Sequence, residues 1–253
     1  MKKFCILYCF LTVLLVFSCT PKQTTVTTNA VESKFNEKSF DPIFKGLGTE
    51  PFWNISISDD FIVYKDIDGT IETFPISSIN KAQDANVLLV RSISDKTQVD
   101  VKIVKQACSD GMSDNEFEYK VNLSILKNSE ELTLSGCGNY IIPLKLHGKW
   151  TLNYFNDTII PSDKYLKTPY LEFNSEPKKV TGNASCNGFN GSIFFDHQIM
   201  RFSDLAVTRM MCVHETMEPE FLKELKTVTH YKVSDKELKL YTGDQHKMTF
   251  VKE

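Results

Sequence analysis

Residues 119–134, YKVNLSILKNSEELTL, decide how the first half of the chain is read. Tyr119, Val121, Leu123 and Ile125 alternate with Lys120, Asn122 and Ser124, the period of two that places one face of a strand in a core and the other in water. Lys127-Asn128-Ser129-Glu130 then supplies turn residues before Leu132 and Leu134 resume the alternation. Working outward, Val99, Val101 and Ile103 repeat the pattern upstream, and Asp68-Gly69 divides FIVYKDIDGTIETFPI into a second hairpin. Short strands with no helix between them predict a small antiparallel barrel or sandwich over residues 41–145.

A second unit, residues 146–253, also reads as strands, around Trp150, Leu171/Phe173, Ile193/Phe194, Tyr231/Val233, Leu238/Leu240 and Met248/Phe250. It carries one helical pattern. Met217, Phe221, Leu225 and Val228 recur at spacings of four, four and three, with Glu215, Glu218 and Glu220 at the positive end and Pro219 in the first turn, so a helix is predicted over 217–229. The expected fold is mainly β, α+β in the second unit, built as two small antiparallel barrel-like domains.

The first 18 residues are expected to be a signal peptide. Lys2 and Lys3 precede the apolar stretch FCILYCFLTVLLVF, residues 4–17, which is too short to span a bilayer. The following Val16-Phe17-Ser18-Cys19 resembles a bacterial lipobox, which implies a lipid on Cys19. Residues 19–40 hold few core-forming side chains and read as anchor and flexible tether. Thr20-Pro21-Lys22-Gln23 brings no acid after Cys19, which favours an outer-membrane location facing the periplasm. Loss of the signal removes two lysines and no acids, so the net charge moves from −3 to −5. An acidic body argues against nucleic acid as a partner; the expected partners are the membrane, through the lipid, and an envelope protein or small ligand.

Of seven cysteines, Cys5 and Cys9 leave with the signal and Cys19 takes the lipid. The remaining four, in an oxidising compartment, allow three pairings. Cys108 with Cys137 and Cys186 with Cys212 are expected, because each bridge then closes a loop within one domain. The chain has no CxxC pair, and its five histidines do not fall at ligand spacing, so no metal is expected. No cofactor motif stands out either: Cys186–Gly191 has the glycines of tight turns without the lysine of a phosphate loop.

The second unit resembles the META (HslJ-like) domain family. The resemblance rests on Gly148-x-Trp150-x-Leu152, Tyr170-Leu171-Glu172-Phe173, the run VTGNASCNGFNG at 180–191, LAVTRMMC at 205–212, Glu220-Phe221-Leu222 and Leu238-Lys239-Leu240. Ser185 departs from it, standing where the family usually has glycine. Gly48-Thr49-Glu50-Pro51-Phe52-Trp53, Cys108-Ser109-Asp110-Gly111-Met112-Ser113-Asp114 and Gly136-Cys137-Gly138 resemble an envelope module found beside META domains. Its expected architecture is similar to small periplasmic barrels that inhibit lysozyme. The resemblance implies a lipoprotein of envelope stress tolerance.

Candidate binding residues are few. Glu50 beside Phe52 and Trp53 can form a ligand rim, or the aromatic pair can floor the barrel. Arg209, next to Cys212, can bind a carboxylate of a ligand, though an internal partner is the expected one. Asp110, Asp114 and Glu116 lack the order of a calcium loop, and Ser109 and Ser113 lack a nucleophile elbow. No catalytic residue is assigned, and the chain is expected not to be an enzyme; inhibition of lysozyme or another envelope hydrolase is the alternative.

Overall fold

A computed structural model describes residues 35–82, 86–161, 165, 167–174, 178–213 and 216–253. The expected signal peptide, Cys19, the expected tether up to residue 34, and Glu215 of the expected helix lie outside the described residues.

Strands β1 (Phe44–Thr49), β2 (Phe52–Ile57), β3 (Phe61–Lys65), β4 (Ile71–Pro75), β5 (Ser78–Lys81), β6 (Val87–Ile93), β7 (Thr97–Cys108), β8 (Phe117–Lys127) and β9 (Glu130–Tyr140) form one antiparallel sheet. Its order is β4-β3-β2-β1-β9-β8-β7-β6-β5. Consecutive strands β4 and β5 therefore lie at opposite edges, joined only by Ile76 and Ser77. Ile76 N–H donates to Asp60 O at 2.8 Å and Ser77 N–H donates to Arg91 O at 2.8 Å. Two neighbouring residues thus tie one edge to the other, and the sheet curls into a half-barrel around that corner.

The alternation read from the sequence sets this core. Val99, Val101, Ile103, Val121, Leu123, Ile125 and Leu134 are all buried. Leu132, on the same face as Leu134, is exposed near the open end of the sheet. The β8–β9 hairpin turns at Asn128 and Ser129, with φ of 51° and 71°, as a primed two-residue turn requires. Trp53 is packed against glycine backbone. A Cβ at Gly136 would lie 2.0 Å from Leu47 O and 2.9 Å from Trp53 Cζ2. Gly48 and Gly136 are therefore part of the seat of the indole, while Gly138 makes room for Phe44. The stretch assigned to the tether ends sooner than expected: the Phe35 ring lies 5.5 Å from Phe40 and 5.4 Å from Phe61.

The second sheet comprises β10 (Gly148–Phe155), β11 (Thr158–Ile159), β12 (Tyr170–Phe173), β13 (Lys179–Asn183), β14 (Gly188–Asp196), β15 (Ile199–Val207), β16 (His230–Val233), β17 (Glu237–Thr242) and β18 (Gln245–Lys252). Its order is β11-β10-β12-β13-β14-β15-β16-β17-β18, and β10 also pairs with β18, so the hydrogen-bonded ring returns on itself with β11 as an outer flap. One residue pair, Ile199 with His230, joins β15 to β16. The single helix α1 (Glu218–Leu225) lies in the chain between those two strands and buries Phe221 and Leu225. Pro219 sits in its first turn.

The helix is shorter than the apolar spacing predicts. Thr227 N–H donates to Glu224 O at 2.9 Å and Val228 N–H to Leu225 O at 3.4 Å, the tighter i to i+3 pattern in which helices end. Thr227-Val228-Thr229 is β-branched throughout, which weakens further winding. Val228 is nonetheless buried, so the apolar face is correct where the helix is not.

Buried side chains of both sheets belong to one cluster that includes Tyr140, Ile142 and Leu146 from around the linking segment. The Asp41 carboxylate accepts from Leu144 N–H at 2.6 Å and Lys145 N–H at 3.0 Å. The N-terminal edge of the first unit therefore holds the start of the second.

Candidate functional site

The two sheets meet around the tip of the β14–β15 hairpin. Asp196 lies 3.6 Å from Lys81 Nζ, and His197, at φ 54°, brings Nε2 to 3.8 Å from Asp59 Oδ1. Burial, first, and the Asp196 carboxylate together push the Tyr140 phenol above its ordinary value and hold it neutral. Tyr119, whose ring lies 5.1 Å from Tyr140, is shifted the same way by burial.

Beside this contact is a cleft of about 670 Å³, lined by Lys105, residues 106–109, Glu116, Phe117 and Glu118 from the first unit and Lys178 from the second. That volume falls in the range of small-ligand sites. Lys178, at φ 65°, reaches Glu118 Oε1 at 2.6 Å across the junction. Lys105 Nζ lies 4.4 Å from the centre of the Phe194 ring, and the Arg201 guanidinium lies 6.0 Å from the same ring. Among the described residues, neither cation has a carboxylate partner. Lys105 of the cleft lining thus shares the Phe194 ring with Arg201, which stands beside the cleft, and Lys178 is tied to a surface glutamate.

The residues singled out from sequence fall elsewhere. Trp53 is 3% exposed while Phe52 is 49% exposed, because neighbours on a strand point to opposite faces. The indole is the floor of the half-barrel, and only Glu50 and Phe52 remain at the surface. Thr49 Oγ1 donates to Asp110 O at 3.1 Å, which lays the β1–β2 turn against the Cys108 loop. In that loop, Ser113 and then Met112 donate to Asp110 and hold its carboxyl below the usual range. Arg209 is exposed, and the internal carboxylate expected for it is not among the described residues.

Both expected disulfides are present, Cys108–Cys137 and Cys186–Cys212. The residue that organises the second was passed over in the sequence. Asn187, 96% buried by its 4% exposure, accepts through Oδ1 from Met210 N–H at 2.7 Å and Thr208 Oγ1 at 2.9 Å. Its Nδ2 donates to Glu218 Oε1 at 3.2 Å, and its backbone N–H donates to Glu218 Oε2 at 2.7 Å. One asparagine thereby joins the bridge, the 208–210 segment and the start of α1. Cys186, Cys212 and Glu218 lie close enough together to suggest a metal, but sulfurs bonded to each other offer no thiolate.

Ser185 explains the departure noted in the sequence. It has φ 95° and is buried, with no partner for its hydroxyl among the described residues. Ala184 N–H donates to Asn187 O at 2.8 Å, which makes Ser185 the first central residue of a four-residue turn, a place suited to glycine.

Residues 143–253 match the META domain family. The META domain therefore takes in the linking turn held by Asp41, the closed ring, α1 and the Cys186–Cys212 bridge. A chain solved by NMR is 24% identical over 42% of this chain and 89% of its own, with a TM-score of 0.34. No curated protein matches. The cleft lies between the META domain and the sheet that precedes it, where Lys178 of the META domain meets Glu118 and the Phe194 ring meets Lys105.

Proposed function

We propose that this protein is a non-enzymatic binding protein of the bacterial cell envelope, lipid-anchored at Cys19 in the outer membrane and facing the periplasm, that acts in envelope stress tolerance. The observation that carries the binding role is the cleft of about 670 Å³ at the junction of the two sheets, with Lys105 in its lining and Arg201 beside it, both against Phe194 and without a carboxylate partner among the described residues. The META domain match supports the stress context, and the lipobox-like Val16–Cys19 supports the anchor. Among the described residues no helix is long and apolar enough to cross a membrane.

A Cys19→Ala variant is expected to leave the membrane fraction for the periplasm. Unchanged membrane retention with normal export refutes the anchor. Crosslinking in intact cells, with and without envelope stress, tests the binding role; the absence of any captured molecule under both conditions counts against it.

Inhibition of an envelope hydrolase such as lysozyme is the second reading. It is favoured by the Cys108 loop, stapled at its base, where Asp110 stays ionised on an exposed turn. Failure of the purified chain to slow lysozyme removes that reading and leaves the first intact.

A further inference from the structure

Strand β7 outlasts its partner on one side. Pairing with β6 ends at Val104 opposite Val87, whereas pairing with β8 continues to Cys108 opposite Phe117, with a bulge between Lys105 and Cys108. Lys105 N–H is taken by Asn86 O at 2.7 Å. Beyond it, Gln106, Ala107 and Cys108 line the cleft, and no described strand lies along that edge. An edge of this kind pairs with extended backbone. Its length, three residues at about 3.3 Å each, accommodates a short segment only.

The two ends of this edge differ. At Lys105 the next backbone position is already occupied by Asn86, so a docked strand must stop there. At that stop stands the Lys105 ammonium, 4.4 Å from the Phe194 ring, and Arg201, which pairs with Phe194 across β14 and β15, lies 6.0 Å from the same ring beside the cleft. Cations without a carboxylate partner among the described residues, at the end of a strand edge, suit a chain terminus of negative charge, since lysine and arginine both donate strongly to a carboxylate. The Lys178–Glu118 pair beside them is half-exposed on both sides. It can open toward solvent at little cost as the ligand enters.

We propose that the cleft binds a short extended peptide by its free C-terminal carboxylate, the backbone pairing with residues 106–108 of β7 and the carboxylate lying at Lys105 and Arg201 beside Phe194. This deepens the binding role proposed above and rests on it.

The test uses the purified full chain in detergent, challenged with a library of N-acetylated tetrapeptides randomised at all positions, in two forms, free carboxylate and C-terminal amide. Inorganic phosphate serves as a third probe. The carboxylate library is expected to be retained and to shift the amide resonances of residues 106–109, with the amide library retained at least tenfold less. Lys105→Gln and Arg201→Gln, both at exposed positions, are each expected to reduce retention about tenfold without moving the thermal midpoint. Equal retention of amide and carboxylate, no retention at millimolar peptide, or phosphate shifting the same resonances as strongly as peptide overturns the proposal. If the libraries fail while crosslinking in cells captures a molecule elsewhere on the chain, this inference falls and the binding role stands; if both fail, so does the role.

Discussion

Replacing Ser185 by glycine should stabilise the META domain. Two costs attach to the serine. Its φ of 95° lies where a Cβ is crowded, which costs roughly 1–2 kcal/mol for an ordinary residue. Its hydroxyl is buried without a partner among the described residues, which costs roughly 1–3 kcal/mol. Glycine removes both and keeps the hydrogen bond of 3.0 Å that the backbone N–H of residue 185 donates to the Asn183 side-chain Oδ1. Against this, glycine makes the unfolded chain more flexible by about 0.5–1 kcal/mol. The net expectation is a gain of about 2 kcal/mol, equivalent to a rise in thermal midpoint of roughly 8 °C for a unit of this size. Ser185→Ala separates the two causes, because it removes the hydroxyl and keeps the strained backbone; a gain of about 1 kcal/mol is expected from it. Urea unfolding of the full chain followed by circular dichroism measures both variants as shifts in midpoint at constant slope. A glycine variant no more stable than the parent, or less stable than the alanine variant, refutes the assignment of strain to this backbone position.

Asn187→Asp should destabilise the same domain by about 3 kcal/mol, because a second carboxylate then faces Glu218 Oε1 at the 3.2 Å now spanned by a hydrogen bond. The deficit should shrink as pH falls and one of the two acids takes a proton, whereas that of Asn187→Ala should not, and parallel urea titrations at neutral and acid pH distinguish them. Gly136→Ala should cost the first sheet about 3 kcal/mol, read as a lower urea midpoint, since its Cβ would meet Leu47 O at 2.0 Å and β1 and β9 would have to separate. Asp100 is held below its ordinary value chiefly by the hydrogen bond from Arg91, 2.6 Å away, and further by Gln98. A lowered carboxyl contributes stability that is present above the unfolded value near 4 and is lost as pH falls through the folded value. Asp100→Asn should therefore flatten the acid limb of the stability profile, and an unchanged limb would count against the pair.

The strands were legible because the physics that forms them is local. Tyr119 to Ile125 alternates by twos, and each of those apolar residues is buried. The closure of the sheets was not legible. Nothing local in Ile76-Ser77 announces that β4 and β5 stand at opposite edges, and nothing in Trp150 to Phe155 shows that β10 pairs with β18 as well as with β12. The end of α1 was legible in principle, since the β-branched run Thr227-Val228-Thr229 was available, but the apolar spacing through Val228 masked it. Among site residues, chemical rarity drew attention to Arg209 and Trp53. Asn187 was overlooked because a turn asparagine in a glycine-rich run has an adequate local explanation, although Glu218 lies 31 residues away.

The cleft shows why such a site escapes a linear reading. Its lining comes from 105–109, 116–118 and 178, with Phe194 and Arg201 beside Lys105, and none of these segments contains a motif. They meet because the β14–β15 hairpin tip docks on the first sheet, and that contact leaves buried polar groups unsatisfied. His197 takes a positive φ, and both His197 Nε2 and Tyr119 Oη are buried without hydrogen-bond partners among the described residues. Two of the four such atoms among the described residues thus lie at one junction. Sequences that satisfy packing and polar pairing in their cores tend to relax those rules where another requirement acts. Here the relaxed rules, the unpaired cations and the open edge of β7 coincide within one junction. The requirement is met by neither sheet alone, which is why ligand contacts are expected to draw on Lys105 and Arg201 together and to weaken about tenfold when either is removed.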